Sequence, residues 1–96
     1  MGKTPVCLKP AYVLYLEWFG GHLWFHTDVF KWNKTTKKQF VKDVNQVQSL
    51  LPTPLLAFIE EEKTQVVKFA EKVGFVLKET IMSTEGQRAF IYAWSK

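Results

Sequence analysis

Glu17, His22, His26 and Asp28 fall within a short stretch of the chain. If strand pairing puts them on one face with Tyr15 across from His26, they could form an acid–base cluster or a metal site. The plainer reading is a set of polar positions on a solvated strand face, since no spacing among them is diagnostic of a ligand set; no metal site is expected. A second group, Lys31, Lys34, Lys37, Lys38 and Lys42 with Phe30 and Trp32 beside it, suits phosphate contacts with a ring free to stack on a base. A solvated helix face explains the same lysines. Glu60, Glu61 and Glu62 read as a strand-to-helix loop favourable to a helix N-terminus rather than as metal ligands. Cys7 is the only cysteine; it reads as an inert thiol that forms no internal disulfide and favours a reducing compartment.

The elements that must position these groups follow from periodicity and turn residues. Two runs rich in Tyr, Val, Leu, Trp and Phe, 11–19 and 22–30, flank Gly20-Gly21, a pair suited to a two-residue primed hairpin turn. With those glycines as the loop, Phe19 opposes His22. One face then carries Tyr12, Leu14, Leu16, Trp18, Leu23, Phe25, Thr27 and Val29 toward a core. The other carries Val13, Tyr15, Glu17, Phe19, His22, Trp24, His26, Asp28 and Phe30. Residues 33–36 offer N-cap side chains. Phe40, Val44, Val47 and Leu51 then recur at helical spacing, with Lys34, Lys38 and Lys42 on the opposite side. Pro52 and Pro54 stop that helix, and residues 55–59 read as a short buried strand. A second helix from about Thr64 turns Val66, Phe69, Ala70 and Val73 inward and ends at Gly74-Phe75. Residues 75–82 and 87–94 make two strands around a turn at Ser83-Thr84-Glu85-Gly86.

The expected order is therefore β-β-α-β-α-β-β in a single mixed sheet with two helices, an α/β or α+β fold. At 96 residues the chain is one domain, and residues 1–10 read as a flexible tail. The hydrophobic fraction of 47% argues against disorder, and a net charge of +4 permits nucleic acid, anionic lipid or an acidic protein as partner without choosing among them. Nothing resembles a signal peptide or a membrane span, so a soluble cytoplasmic protein with no membrane partner is expected. Fifteen aromatic residues, four Trp, eight Phe and three Tyr, are more large rings than so small a core needs, so some should meet another molecule.

The order of elements, together with Leu55-Leu56-Ala57-Phe58-Ile59 and the run Val66-Val67-Lys68-Phe69-Ala70-Glu71-Lys72-Val73-Gly74-Phe75, resembles the C-terminal part of the GNAT-type N-acetyltransferase superfamily. The resemblance covers roughly Leu23 to Trp94. It is similar above all to the short GNAT-like proteins of bacteriophages, in which a strand bearing His-Thr, here His26-Thr27, leads into the first helix. The resemblance implies an acetyl-coenzyme A site on backbone amides of a glycine-containing loop at the start of that helix. The corresponding loop here, Trp32-Asn33-Lys34-Thr35-Thr36-Lys37-Lys38, has no glycine. Where the family often places an Asn against the cofactor stands Lys63, and where a Tyr commonly serves as general acid stands Ala70. The family's two N-terminal helices have no counterpart before Ala11.

These departures lead to the expectation of a degenerate GNAT-like, phage-encoded domain that binds a protein and catalyses nothing, with no cofactor and no catalytic residue. Its interaction surface is expected on Tyr15, Glu17, Phe19, His22, Trp24 and His26, closing a homodimer or holding a foreign protein. Two alternatives remain: a minimal acyltransferase holding acetyl-coenzyme A on a residual loop of Asn33, Lys34, Thr35, Thr36, Lys37 and Lys38, and a weak nucleic-acid binder.

Overall fold

In chain order the elements are β1 (Thr4–Leu8), β2 (Tyr12–Phe19), β3 (His22–Val29), α1 (Lys34–Ser49), β4 (Leu56–Glu60), α2 (Thr64–Val73), β5 (Phe75–Met82) and β6 (Arg88–Trp94). They are taken from a computed structural model, which describes residues 2–95. The class is α+β, and from Tyr12 onward the order is the one the sequence predicts. The chain divides into two compact units, residues 1–55 and 56–96.

In the first unit Gly20 and Gly21 adopt φ of 61° and 80°, the left-handed pair that a primed hairpin turn needs. Register follows from the turn: Phe19 opposes His22, Tyr15 opposes His26 and Tyr12 opposes Val29. The core face is the expected one at the base of the hairpin, where Tyr12 and Leu14 are fully buried and Phe25 nearly so. Burial fades along β2, however, and Trp18, assigned to the same face, is 59% exposed. α1 supplies Phe40 and Val44 to this core, both fully buried. Phe40 meets Tyr12, Phe25 and Trp32 edge-to-face, at centroid distances of 5.2, 6.2 and 5.6 Å. Losing so central a ring is the kind of change that costs about 3–5 kcal/mol. The helix ends at Ser49 with Leu50 as its C-cap, ahead of Pro52, so Leu51, expected on its apolar stripe, lies beyond it. Gln48 closes the loop behind it by donating from Nε2 to the Thr53 carbonyl at 2.8 Å and accepting from the Leu55 N–H at 2.7 Å.

The expected tail at residues 1–10 is corrected by β1, which pairs antiparallel with β2, Thr4 opposite Leu16 and Leu8 opposite Val13. A turn at 9–12, closed by reciprocal backbone bonds between Lys9 and Tyr12, returns the chain. Pro5 and a register shift between Pro5 and Cys7 hide this strand from pattern reading, because Pro is depleted in strands except at edges and bulges. Here β2 offers one partner edge and the other side of β1 has none within the unit, so a missing N–H is tolerated.

In the second unit β6 lies between β4 and β5, antiparallel to both. Ala57, Ile59, Phe75, Tyr92 and Trp94 form the buried face with Ala70 and Val73 of α2. Strand β4 is therefore buried on alternate residues only: Phe58 is 53% exposed, a correction to the reading of 55–59 as a wholly buried strand. In α2 the inward arc is Ala70 and Val73, with Val67 and Phe69 half-buried. Val66, expected inward, is 45% exposed because that arc is rotated by about one residue at its start. Gly74 closes the helix at φ 134° with its N–H on the Ala70 carbonyl at 3.3 Å, as expected of a glycine stop. Gly86, at φ 82°, does the same for the turn between β5 and β6. The Ser83 hydroxyl accepts there from the N–H groups of Glu85 and Gln87.

Candidate interaction surface

The second face of the β2–β3 hairpin is organised by diagonal bonds between the strands. His26 Nε2 lies 2.8 Å from Glu17 Oε1, and the Tyr15 hydroxyl donates to Asp28 Oδ2 at 2.8 Å. Both pairs follow from register, since Tyr15 and His26 are directly opposed and each reaches the partner's neighbour two positions along. The bond to Asp28, then desolvation, raises the Tyr15 pKa from its ordinary value. Lys3 Nζ sits 5.7 Å above the Tyr15 ring, so the strip continues toward β1.

Toward the turn the face changes character. The Trp24 indole N–H donates to the Phe19 carbonyl at 3.0 Å, which lays the half-buried indole across the hairpin, and the His22 ring meets it edge-on at 6.2 Å. Phe19 itself is 64% exposed. All six residues expected on this surface thus share one face: Tyr15, Glu17 and His26 in its paired middle, Phe19, His22 and Trp24 at its outer end. They do not converge on a point. His22 and His26 are four residues apart on one strand, about 13 Å at the rise of extended chain. Among the described residues no three His, Cys, Asp or Glu side chains are grouped to hold a metal ion. The face can therefore present rings bordered by polar and ionisable side chains, with each ionisable group of its middle already bonded to a neighbour.

At the start of α1 the residual loop is built differently from a phosphate cradle. Asn33 is the N-cap, and its Oδ1 accepts from the Thr36 N–H at 2.8 Å and from the Thr36 hydroxyl at 3.0 Å, so the cap satisfies one of the helix's free amides internally. Thr36 is buried by this arrangement, Lys34, Thr35 and Lys38 are exposed, and Lys37 is half-buried. Beside the cap an open cavity of about 370 Å³ is bordered by Lys9, Lys31, Asn33, Thr35 and Gln39.

One polar site has no counterpart among the expected residues. Asp43 is 9% exposed on the inner side of α1 and accepts from the Tyr12 hydroxyl at 2.6 Å. The Cys7 thiol reaches the same oxygen at 3.6 Å, and Lys9 Nζ stands 3.9 Å away. Burial, then the bond to Asp43, raises the Tyr12 pKa strongly; burial, then repulsion from Asp43, raises that of Cys7. The site is a neutral phenol and thiol around a carboxylate, suited to holding β1 down and not to nucleophilic chemistry, since the thiolate is disfavoured. Its signal was available: Thr36, Phe40, Asp43, Val44 and Val47 recur at helical spacing, which places a carboxylate within the apolar stripe.

Among the described residues no helix is long and apolar enough to cross a membrane. Comparison with family models, curated proteins and solved structures finds no match for this chain.

Proposed function

We propose that the chain is a degenerate GNAT-like domain, phage-encoded and acting in the host cytoplasm, that binds a protein through the second face of its β2–β3 hairpin and carries no catalysis. The observation that supports this reading is the outer end of the hairpin. Phe19 and Trp18 are 64% and 59% exposed on opposite sides of the same strand end, and Trp24 is held by its indole N–H. Rings fixed in place lose little entropy on contact, and the Glu17–His26 and Tyr15–Asp28 pairs supply the polar rim that surrounds such anchors. The simplest partner is a second copy, for which a face carrying both hydrogen-bond donors and acceptors beside its rings is complementary to itself.

Sedimentation of the protein and of Trp24→Ala tests the reading. Self-association should weaken by more than about 1 kcal/mol in the variant while its thermal midpoint barely changes. A monomer at all concentrations, whose Trp24 and Phe19 variants also bind host proteins as the parent does, would remove the hairpin from the function.

The second reading, a minimal acyltransferase, has one observation in its favour: the cavity at the start of α1, flanked by Lys9 and Lys31. Against it stands the Asn33 side chain, which takes the Thr36 amide that a pyrophosphate would need. Saturating acetyl-coenzyme A is expected to leave the thermal midpoint unchanged. A ligand at about 100 times its Kd would add about 2.7 kcal/mol, so a rise of several degrees that disappears in Lys37→Ala, Lys38→Ala would put the acyltransferase first.

A further inference from the structure

The charges on α1 work against the helix that carries them. Lys34 and Lys37 lie in its first turn, which holds no acidic residue, although the helix dipole disfavours cations there. Lys34, Lys38 and Lys42 follow one another at i, i+4 on the outer side, all exposed, and like charges at that spacing repel. The only carboxylate of the helix, Asp43, is turned inward to Tyr12. None of Lys31, Lys34, Lys37, Lys38 and Lys42 belongs to the ion pairs of the described residues, which involve Lys9, His26, Lys63 and Arg88. The imbalance belongs to one unit alone. Residues 1–55 contain seven lysines against Glu17, Asp28 and Asp43, whereas residues 56–96 hold six basic and six acidic side chains.

A basic ridge that destabilises its own helix has a physical rationale once an anionic partner is present to neutralise it. The head of the ridge indicates which. Phe30, 67% exposed, Lys31 and Trp32 lead directly into the helix, so an exposed ring precedes the row of cations in the chain. Consecutive lysines at i, i+4 are about 6 Å apart along the axis, a separation that lets each meet its own phosphate on an extended strand. Unstacked bases, which a duplex does not offer, can lie on an exposed ring. We propose that the outer ridge of α1 binds single-stranded nucleic acid, with Lys34, Lys38 and Lys42 on phosphates and Phe30 stacking on a base. The lysines of this surface lie on α1 and not on the second face of the hairpin, to which strand alternation assigns Phe30, and neither reading depends on the other.

The test is fluorescence anisotropy of a labelled oligothymidine of about 12 nucleotides, titrated with the full chain at several salt concentrations. Binding should weaken with salt. Replacing Lys34, Lys38 and Lys42 together by Gln should flatten the slope of log K against log salt by about 2, since each phosphate contact to a single strand contributes about 0.7. The same variant should melt no lower than the parent, because the repulsion is relieved. Phe30→Ala should weaken binding at least about 5-fold with the slope unchanged. A charge-matched control, Lys68, Lys72 and Lys78 to Gln in the second unit, should change neither quantity. The proposal is overturned by no binding at about 20 mM salt, by an equal loss in the control, or by a triple variant that melts lower. It is overturned equally by binding to phosphatidylserine vesicles or polyglutamate without binding to the oligonucleotide.

Discussion

Each unit of the chain contains a buried tyrosine on a strand that donates its hydroxyl to a carboxylate on the unit's own helix. In the first, Tyr12 reaches Asp43 at 2.6 Å; in the second, Tyr92 reaches Glu71 at 2.7 Å. The phenols are alike, at 0% and 1% exposure, but the acceptors are not: Asp43 is 9% exposed and shared with Cys7 and Lys9, while Glu71 is an exposed residue. The same bond therefore does different work. A buried carboxylate left without its donor retains its desolvation penalty, whereas an exposed one turns to water. The first unit uses its bond to secure a third element, β1; the second uses it to fix α2 against β6.

The comparison can be broken most forcefully at the buried rings of the two units, Phe40 in the first and Phe75 in the second. Phe40→Ala should cost about 3–5 kcal/mol, read from the denaturant midpoint, and should release Trp32 and Tyr12 from their edge-to-face contacts; Phe75→Ala, which removes the contact with Trp94 at 5.0 Å, is the matching change in the second unit and should cost a similar amount. Next, Tyr12→Phe should destabilise by about 1.5–3 kcal/mol and Tyr92→Phe by about 0.5–1.5 kcal/mol. Equal losses would show that acceptor burial does not set the difference. Gly74→Ala, at φ 134°, should cost about 1–2 kcal/mol by forcing a Cβ into a conformation L residues avoid.

The smallest effect is on alkaline stability. Burial, then the bond to Glu71, pushes the Tyr92 pKa up to about 12 from an ordinary 10.0. A raised folded-state pKa means the protonated phenol is favoured in the native state. Its contribution is therefore complete below pH 10 and lost as the pH rises from 10 to about 12. Tyr92→Phe should remove that part of the alkaline decline in the denaturant midpoint.

How much of this was legible depended on how many residues carried each signal. The hairpin was, because Gly20-Gly21 fixes turn and register at once, and every pair from Tyr12–Val29 to Phe19–His22 follows. The two helices were, because Phe40, Val44 and Val47 in one and Ala70 and Val73 before Gly74 in the other repeat at helical spacing. β1 was not: five residues with a proline and a bulge give no clean alternation. Trp18 was placed on the right face and given the wrong environment, because periodicity reports the side a residue faces and not how far along the strand the covering helix extends. The six-residue surface was found as a face, but its diagonal pairing arises from side-chain reach across the register. Asp43 was passed over because a charged residue among apolar ones reads as noise until its partners, Tyr12, Cys7 and Lys9, are brought to it by strands that lie far off in sequence.

The bulged strand β1 gives the protein a clock. Its one thiol, Cys7, is half-buried against Asp43, with a pKa raised by that burial. A half-buried thiol whose pKa is raised is alkylated more slowly than one in an unfolded chain, and lifting of the strand restores its reactivity. The ratio of the alkylation rate in the folded protein to that in the unfolded chain reports the protection that β1 gives its own thiol and sets an upper limit on how often the first strand detaches.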